Sequence, residues 1–266
     1  LVSKHCTVAL GGDGGDELFG GYPHHSRLMW MQQHLGFIPN FMRHSISQFA
    51  KKFLPINFKG INYLKNIDID LKYGLPLIAS DFDLATRRKL MGKYTKHPFI
   101  AESIHETRIS KQKDLLQRAT RYDFETFLAE DCLVKVDRVS MLNSLEVRAP
   151  MLDYRIIEFA FSKVPSYLKA NAKDKKILLK LLASRVLPHN FDKKRKQGFS
   201  IPFNAWLKSG SLRDFFWDTL TSKDCMFDSK TVSDLLKGQD GRGYNGNRLF
   251  SLVQFELWRK TYDTIL

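Results

Sequence analysis

Thr7-Val8-Ala9-Leu10-Gly11-Gly12-Asp13-Gly14-Gly15-Asp16-Glu17-Leu18-Phe19-Gly20-Gly21-Tyr22 is the stretch that decides how this chain is read. Thr7–Leu10 is apolar and predicts a short buried strand. Glycines follow at once, and they let a backbone reach positive φ and a ligand approach bare N–H groups. Asp13, Asp16 and Glu17 stand beside them, and carboxylates there suit a divalent cation carrying phosphates. Asp16 is placed to cap a helix that starts near Glu17 and runs toward His34, although Gly20-Gly21 weaken its first turn. On its own, the loop reads equally well as a structural turn closed by a capping aspartate.

Downstream the pattern turns helical. Residues 36–80 are punctuated by Pro39, Pro55, Gly60, Gly74 and Pro76, and predict helices broken by loops. Capped or periodic helices are predicted from Asp83 to Met91, Asp114 to Leu128, and Leu133 to Asn143. In the last of these Leu133, Val136, Ser140 and Met141 lie near one face. Ala149-Pro150 closes that region. Asp153 caps a helix over Tyr154–Phe161, another covers Lys175–Val186 and stops before Pro188, and a final one covers Asn247–Tyr262. One strand stands out, so the chain reads as mostly α-helical with one or few strands. His24 and His25 are adjacent on a predicted helix and point to different faces, which speaks against a paired metal site.

A chain of 266 residues has room for one large domain or two small ones. Its 43% hydrophobic and 26% charged content is that of an ordinary globular protein. No apolar run is long enough to span a bilayer, and Leu1–Cys6 lacks the apolar core of a secretory leader. Lys and Arg number 42 against 28 Asp and Glu, a net +14 that suits anionic partners. The basic residues are scattered, however, and the densest run is Lys193-Lys194-Arg195-Lys196. Without aromatic-basic repeats or zinc-finger spacing, nucleic-acid binding is disfavoured. Cys6, Cys132 and Cys225 are too few and too far apart for a disulfide framework or metal set. They read as buried free thiols, which fits a reducing cytoplasm.

Three segments in order carry a resemblance. They are Gly12–Tyr22; then Leu133-Val134-Lys135-Val136-Asp137-Arg138-Val139-Ser140-Met141-Leu142-Asn143-Ser144-Leu145-Glu146-Val147-Arg148-Ala149-Pro150-Met151-Leu152-Asp153; then Leu187-Pro188, Lys196-Gln197-Gly198-Phe199, Pro202 and Trp206-Leu207. Asn247–Phe250 and Glu256-Leu257-Trp258 add to them. Together they resemble the synthetase domain of glutamine-hydrolysing asparagine synthetases, in particular bacterial members found with surface-polysaccharide genes. The resemblance covers most of the chain, while residues 36–110 contribute little.

That resemblance implies an α/β fold of the adenine nucleotide alpha hydrolase type, with a parallel sheet. It implies a ligase that uses ATP to adenylate the side-chain carboxylate of aspartate. Ammonia drawn from glutamine then gives asparagine, AMP and pyrophosphate. Asp16 matches the family's metal–pyrophosphate carboxylate, so it is the candidate Mg²⁺ ligand. Asp13 stands where many relatives carry glutamate, placed to touch the substrate amine or assist proton transfer. Lys196 matches the lysine that neutralises charge on the transferring phosphoryl group. Gly12, Gly14, Gly15 and Gly198 are the candidate nucleotide-binding glycines. Gly11 stands where the family often has serine. Lys135, Asp137 and Arg138 either line the floor of the site or form an ion-pair network with Glu146, Arg148 or Asp153.

The family's Ser-Gly-Gly-x-Asp-Ser ATP loop is not in this sequence, nor is the glutaminase domain with its N-terminal cysteine. The expectation is therefore that 1–266 is the C-terminal part of a synthetase domain. Residues 1–35 supply strand, acidic loop and helix, and 36–266 form a helical subdomain. ATP and Mg²⁺ would both need upstream residues, and the 266 residues alone are expected to be inactive. A homodimer is compatible with this reading, and no nucleic acid or membrane partner is expected. The alternatives are a related ligase amidating a sugar or peptide carboxylate, a non-catalytic pseudoenzyme, or an RNA-binding helical protein.

Overall fold

The computed structural model describes the chain except for residues 57, 59, 77–80, 93, 95–99, 189, 192–200, 243–244 and 265–266. The chain divides into two compact units. The first comprises Leu1–Pro39, Ile69–Pro76 and Phe99–Lys196, and the second Asn40–Asp68, Leu77–Pro98 and Gln197–Leu266.

The first unit carries a two-stranded parallel sheet. Strand β1 (Val8–Leu10) pairs with β2 (Glu146–Arg148) in the register Val8↔Glu146, Ala9↔Val147 and Leu10↔Arg148. The sequence announces β1 but not β2, because Glu-Val-Arg is too short and too charged to stand out. The expected burial of β1 is not found: Val8 is 39% and Leu10 74% exposed. A parallel strand is buried only where layers cover both its faces, and among the described residues only β2 joins it.

The expected helix from Glu17 to His34 is two helices. Helix α1 (Gly15–Phe19) ends at Gly20, whose φ of 68° requires glycine. Helix α2 (Pro23–Leu35) restarts with proline in its first turn. Nor does Asp16 cap α1. Gly14, at φ 87°, takes the N-cap, and Asp16 lies in the first turn.

Helix α7 (Leu115–Asp123) is capped by Asp114, which accepts from the Gln117 N–H at 2.9 Å. It runs on through a π-helical segment, Phe124–Cys132, into α8 (Leu133–Met141). The two separate helices expected here are therefore one run with a widened middle. The apolar positions on α8 do not form a core stripe: none of its residues is buried, and Met141 is 57% exposed. Helix α9 (Tyr154–Ser162) is capped by Asp153, as expected. Helix α10 (Ser166–Lys169) follows, and α11 (Ile177–Val186) stops before Pro188. Leu18 and Phe19 of α1 pack with Ala160 and Val164, framed by Phe124, Ile157 and Phe161.

Lys169 is fully buried in this unit. Its ammonium donates to Gln117 Oε1 at 3.1 Å and lies over the Phe161 ring. Burial, with Arg121 nearby, pulls its pKa down from 10.5 to about 8. Between those values the unfolded chain holds a proton that the folded chain has lost, so stability rises with pH. Relative to a Lys169→Met variant, the wild type should gain about 3 kcal/mol between pH 7.5 and 10.5. Urea midpoints of the two proteins across that range measure it, and parallel curves would refute it.

The second unit holds α3 (Asn40–Phe53) and α4 (Ile61–Lys65), the broken helices expected before residue 80. Helix α5 (Leu84–Met91) is capped by Asp83, which accepts from the Thr86 N–H. The same carboxylate pairs at 2.7 Å with the buried Lys65. Helices α12 (Phe203–Trp206), α13 (Ser211–Thr221), α14 (Ser229–Arg242) and α15 (Gly246–Thr261) complete it. Leu90, Leu207, Phe216, Leu220, Leu235, Leu249 and Val253 form its core. In the first unit a further helix, α6, spans Ile100–Thr107. The thiols are free, but none is fully buried: Cys132 and Cys225 are half-buried, and Cys6 is exposed because it follows the short opening turn.

Candidate active site

The acidic loop leaves β1 tied to β2, with the Gly11 N–H donating to the Arg148 carbonyl at 2.8 Å. Gly14 has no substitute: a Cβ there would lie 2.2 Å from Leu152 Cδ2 on a backbone with φ 87°. Gly15 opens α1 and a Cβ there would make only ordinary contact. Gly12 is exposed with open space around its Cα. A Cβ at Gly11 would meet Asp13 Oδ2 at 2.8 Å, so the glycine leaves room for that carboxylate.

Asp16 is partly exposed, and its Oδ1 lies 2.9 Å from Lys176 Nζ. Lys176 caps α11 with a φ of 53°, which turns the chain so that its side chain meets α1. Gly21 makes the pair possible. A Cβ at that position would fall 1.7 Å from Asp16 Oδ1 and 2.3 Å from Lys176 Cε. The sequence reading missed Lys176, since nothing near Lys175-Lys176 distinguishes a site lysine from a surface one.

Behind the loop the site is buried and polar. Glu17 is 2% exposed and accepts a short hydrogen bond from the Tyr22 hydroxyl. Burial raises the Glu17 carboxyl above its ordinary value, against the pull of the Tyr22 bond. Burial and the neighbouring Glu17 also raise the Tyr22 phenol. Next to them, His24 Nε2 and His25 Nε2 both reach Asp123 Oδ2, at 2.7 and 2.8 Å. This corrects the expectation that adjacent histidines diverge. In the first turn of α2, His25 Nδ1 accepts the Tyr22 N–H at 3.3 Å, while the His24 ring stacks on Tyr22. Both rings are thereby drawn back toward α7. Burial raises Asp123, but the two histidine bonds outweigh it and hold the carboxyl below its ordinary value. Burial also lowers His25, and its bond to Asp123 opposes that.

Cys132 closes the group at the start of α8. Burial pushes its thiol up to about 11, Lys135 pulls it back, and Glu17, Asp131 and Asp13 push it further. Lys135 and Asp13 therefore act on one point. Lys135, Asp137 and Arg138 are exposed. Among the described residues the expected ion-pair network is not formed: Glu146 pairs with Arg148, and Asp153 with Arg155. Neighbours two apart satisfy each other and leave α8 out. Lys196 and Gly198 lie outside the described residues.

A family model described as asparagine synthase matches residues 1–260. The chain belongs to the asparagine synthase family. Among curated relatives, a putative glutamine-hydrolysing asparagine synthetase of Mycobacterium bovis is 28% identical over 265 residues, which is 97% of this chain and 40% of that protein. Glutamine-hydrolysing asparagine synthetase 1 of Bacillus subtilis strain 168 is 27% identical over 263 residues, 97% of this chain and 41% of that protein. The chain thus spans about 40% of the length of the curated relatives it matches. No solved structure matches it. Membership of the asparagine synthase family makes an ATP-dependent amidating ligase the activity class to test. The α/β character of that family is represented here by β1 and β2 in a mostly helical chain. No helix among the described residues is long and apolar enough to cross a membrane.

Proposed function

We propose that this chain supplies the pyrophosphate side of an asparagine synthetase site, as the C-terminal part of the synthetase domain. The Asp16–Lys176 pair carries this reading. It sets a partly open carboxylate and a cation side by side at the glycine loop, where a metal-bound pyrophosphate needs both. Asp16 offers the hard oxygens that Mg²⁺ takes, and Mg²⁺ would supply neutralisation of phosphate charge. Gly12 leaves backbone open to a ligand, and Asp16 would hold the metal while Lys176 beside it would offer its charge to phosphate oxygens. Asp13, whose carboxylate occupies the room left by Gly11, would take a proton from incoming ammonia. Lys196, the match to the family's phosphoryl-neutralising lysine, would stabilise the transferring phosphoryl group, and Gly198 would serve nucleotide binding. Lys135, Asp137 and Arg138 would border the floor of the site.

In the longer protein, aspartate is adenylated by ATP with release of pyrophosphate, and glutamine-derived ammonia completes asparagine in the cytoplasm. Aspartate-dependent exchange of labelled pyrophosphate into ATP by the full-length protein tests this reading. Exchange should require aspartate and Mg²⁺ but not glutamine. Exchange driven only by a sugar or peptide carboxylate would move the enzyme to a related ligase. Gly21→Ala in the same protein should lower exchange about 100-fold, because the added methyl displaces Asp16 by an ångström or more. Circular dichroism should stay unchanged, and full exchange by a folded Gly21→Ala protein would contradict the role of the pair.

A further inference from the structure

His24, His25 and Asp123 form, among the described residues, the one group of three His, Cys, Asp or Glu side chains whose ligand atoms lie within 4.8 Å of one another. We propose that this group binds a divalent transition metal of the Zn²⁺ type, separate from the Mg²⁺ expected at Asp16. The chemistry of the donors selects the ion. Two imidazoles and one carboxylate suit Zn²⁺, Co²⁺ or Fe²⁺, whereas Mg²⁺ prefers oxygen alone.

The geometry needs little change to accept it. Both Nε2 atoms already converge on Asp123 Oδ2, at 2.7 and 2.8 Å. A small outward shift turns the two hydrogen bonds into three metal bonds. The rings are held from behind. Tyr22 stacks on His24, and the Tyr22 N–H donates to His25 Nδ1 at 3.3 Å. Ligation through Nε2 would displace the proton that each ring now shares with Asp123, and His25 Nδ1 would then carry the ring proton and give up the Tyr22 N–H. His25 is fully buried, but the His24 side chain is 18% exposed, which leaves a fourth position on the solvent side for water.

Bound there, the ion would clamp the start of α2 to the end of α7. It would also fix the Gly20–Tyr22 connection, whose Gly21 gives Asp16 and Lys176 their room. The site is a structural brace for the acidic loop.

The test is Co²⁺ titration of the EDTA-stripped chain, read by visible absorption. One Co²⁺ per chain should bind with the intense bands of a four-coordinate site. Zn²⁺ should abolish the bands, and millimolar-scale Mg²⁺ should leave them unchanged. His24→Ala, at the partly exposed position, should weaken Co²⁺ binding about 100-fold or more. Asp123→Asn should do the same. Absence of bands at about 100 µM Co²⁺ would overturn the proposal. So would bands that persist in a folded His24→Ala chain, even if Asp123→Asn fails to fold.

Discussion

Replacing Arg118 by methionine is expected to cost the first unit at least about 4 kcal/mol, enough to unfold many domains of ordinary stability. Arg118 is fully buried on α7. Its two terminal nitrogens donate to the carbonyls of Leu71, Lys72, Gly74, Gln112 and Lys113. These carbonyls belong to two loops that have no sheet or helix partners to turn to. Each one left unpaired in the interior costs about 1–3 kcal/mol, so even partial hydration leaves a large loss. Methionine fills the volume and isolates the hydrogen-bonding contribution from packing. Arg118→Lys should recover only part of the loss, since one ammonium cannot span both loops. Urea unfolding followed by circular dichroism measures all three proteins. A methionine variant within about 1 kcal/mol of wild type would show that the loops find other donors.

Asp16→Asn in the full-length protein should lower aspartate-dependent pyrophosphate release about 1,000-fold or more, while glutamine hydrolysis stays largely intact. Lys196→Ala should behave in the same way. The asparagine side chain keeps the size of the carboxylate but loses the charge that holds Lys176 at 2.9 Å and would hold a metal. Stability should change little, because both partners are partly exposed and such pairs contribute about 0–1 kcal/mol. That separation is what marks a working residue rather than a structural one. Lys176→Met then distinguishes two roles for its partner. A loss equal to that of Asp16→Asn assigns Lys176 to phosphate charge, and near-normal rates would make it only a counter-ion. Asparagine formation retained in Asp16→Asn would remove Asp16 from the metal site.

The sequence reading succeeded where the deciding interactions are local. Asp83 and Asp153 each receive an N–H from two or three residues downstream, so a cap is legible within one turn. The glycine at position 14 is legible for the same reason, since its positive φ is a property of one residue. Gly20 predicts only a weak first turn, whereas its left-handed backbone ends α1. The π-helical stretch before α8 left no mark, because its nine residues make only about two of the wider turns, too few to set a period apart from that of an ordinary helix. Strand β2 was invisible because its pairing partner lies at the other end of the first unit, and three residues carry no period.

The sequence by itself determined the family, the acidic loop, the helical character and most helix starts. Each rests on ordered motifs or on contacts within a few residues. The tertiary structure alone decided that Lys176 meets Asp16, that Arg118 holds two loops, and that His24 and His25 turn together onto Asp123, 99 and 98 positions away. A side chain's partner across such a distance depends on how helices pack. No residue's own chemistry announces which of several lysines or aspartates will be brought to it.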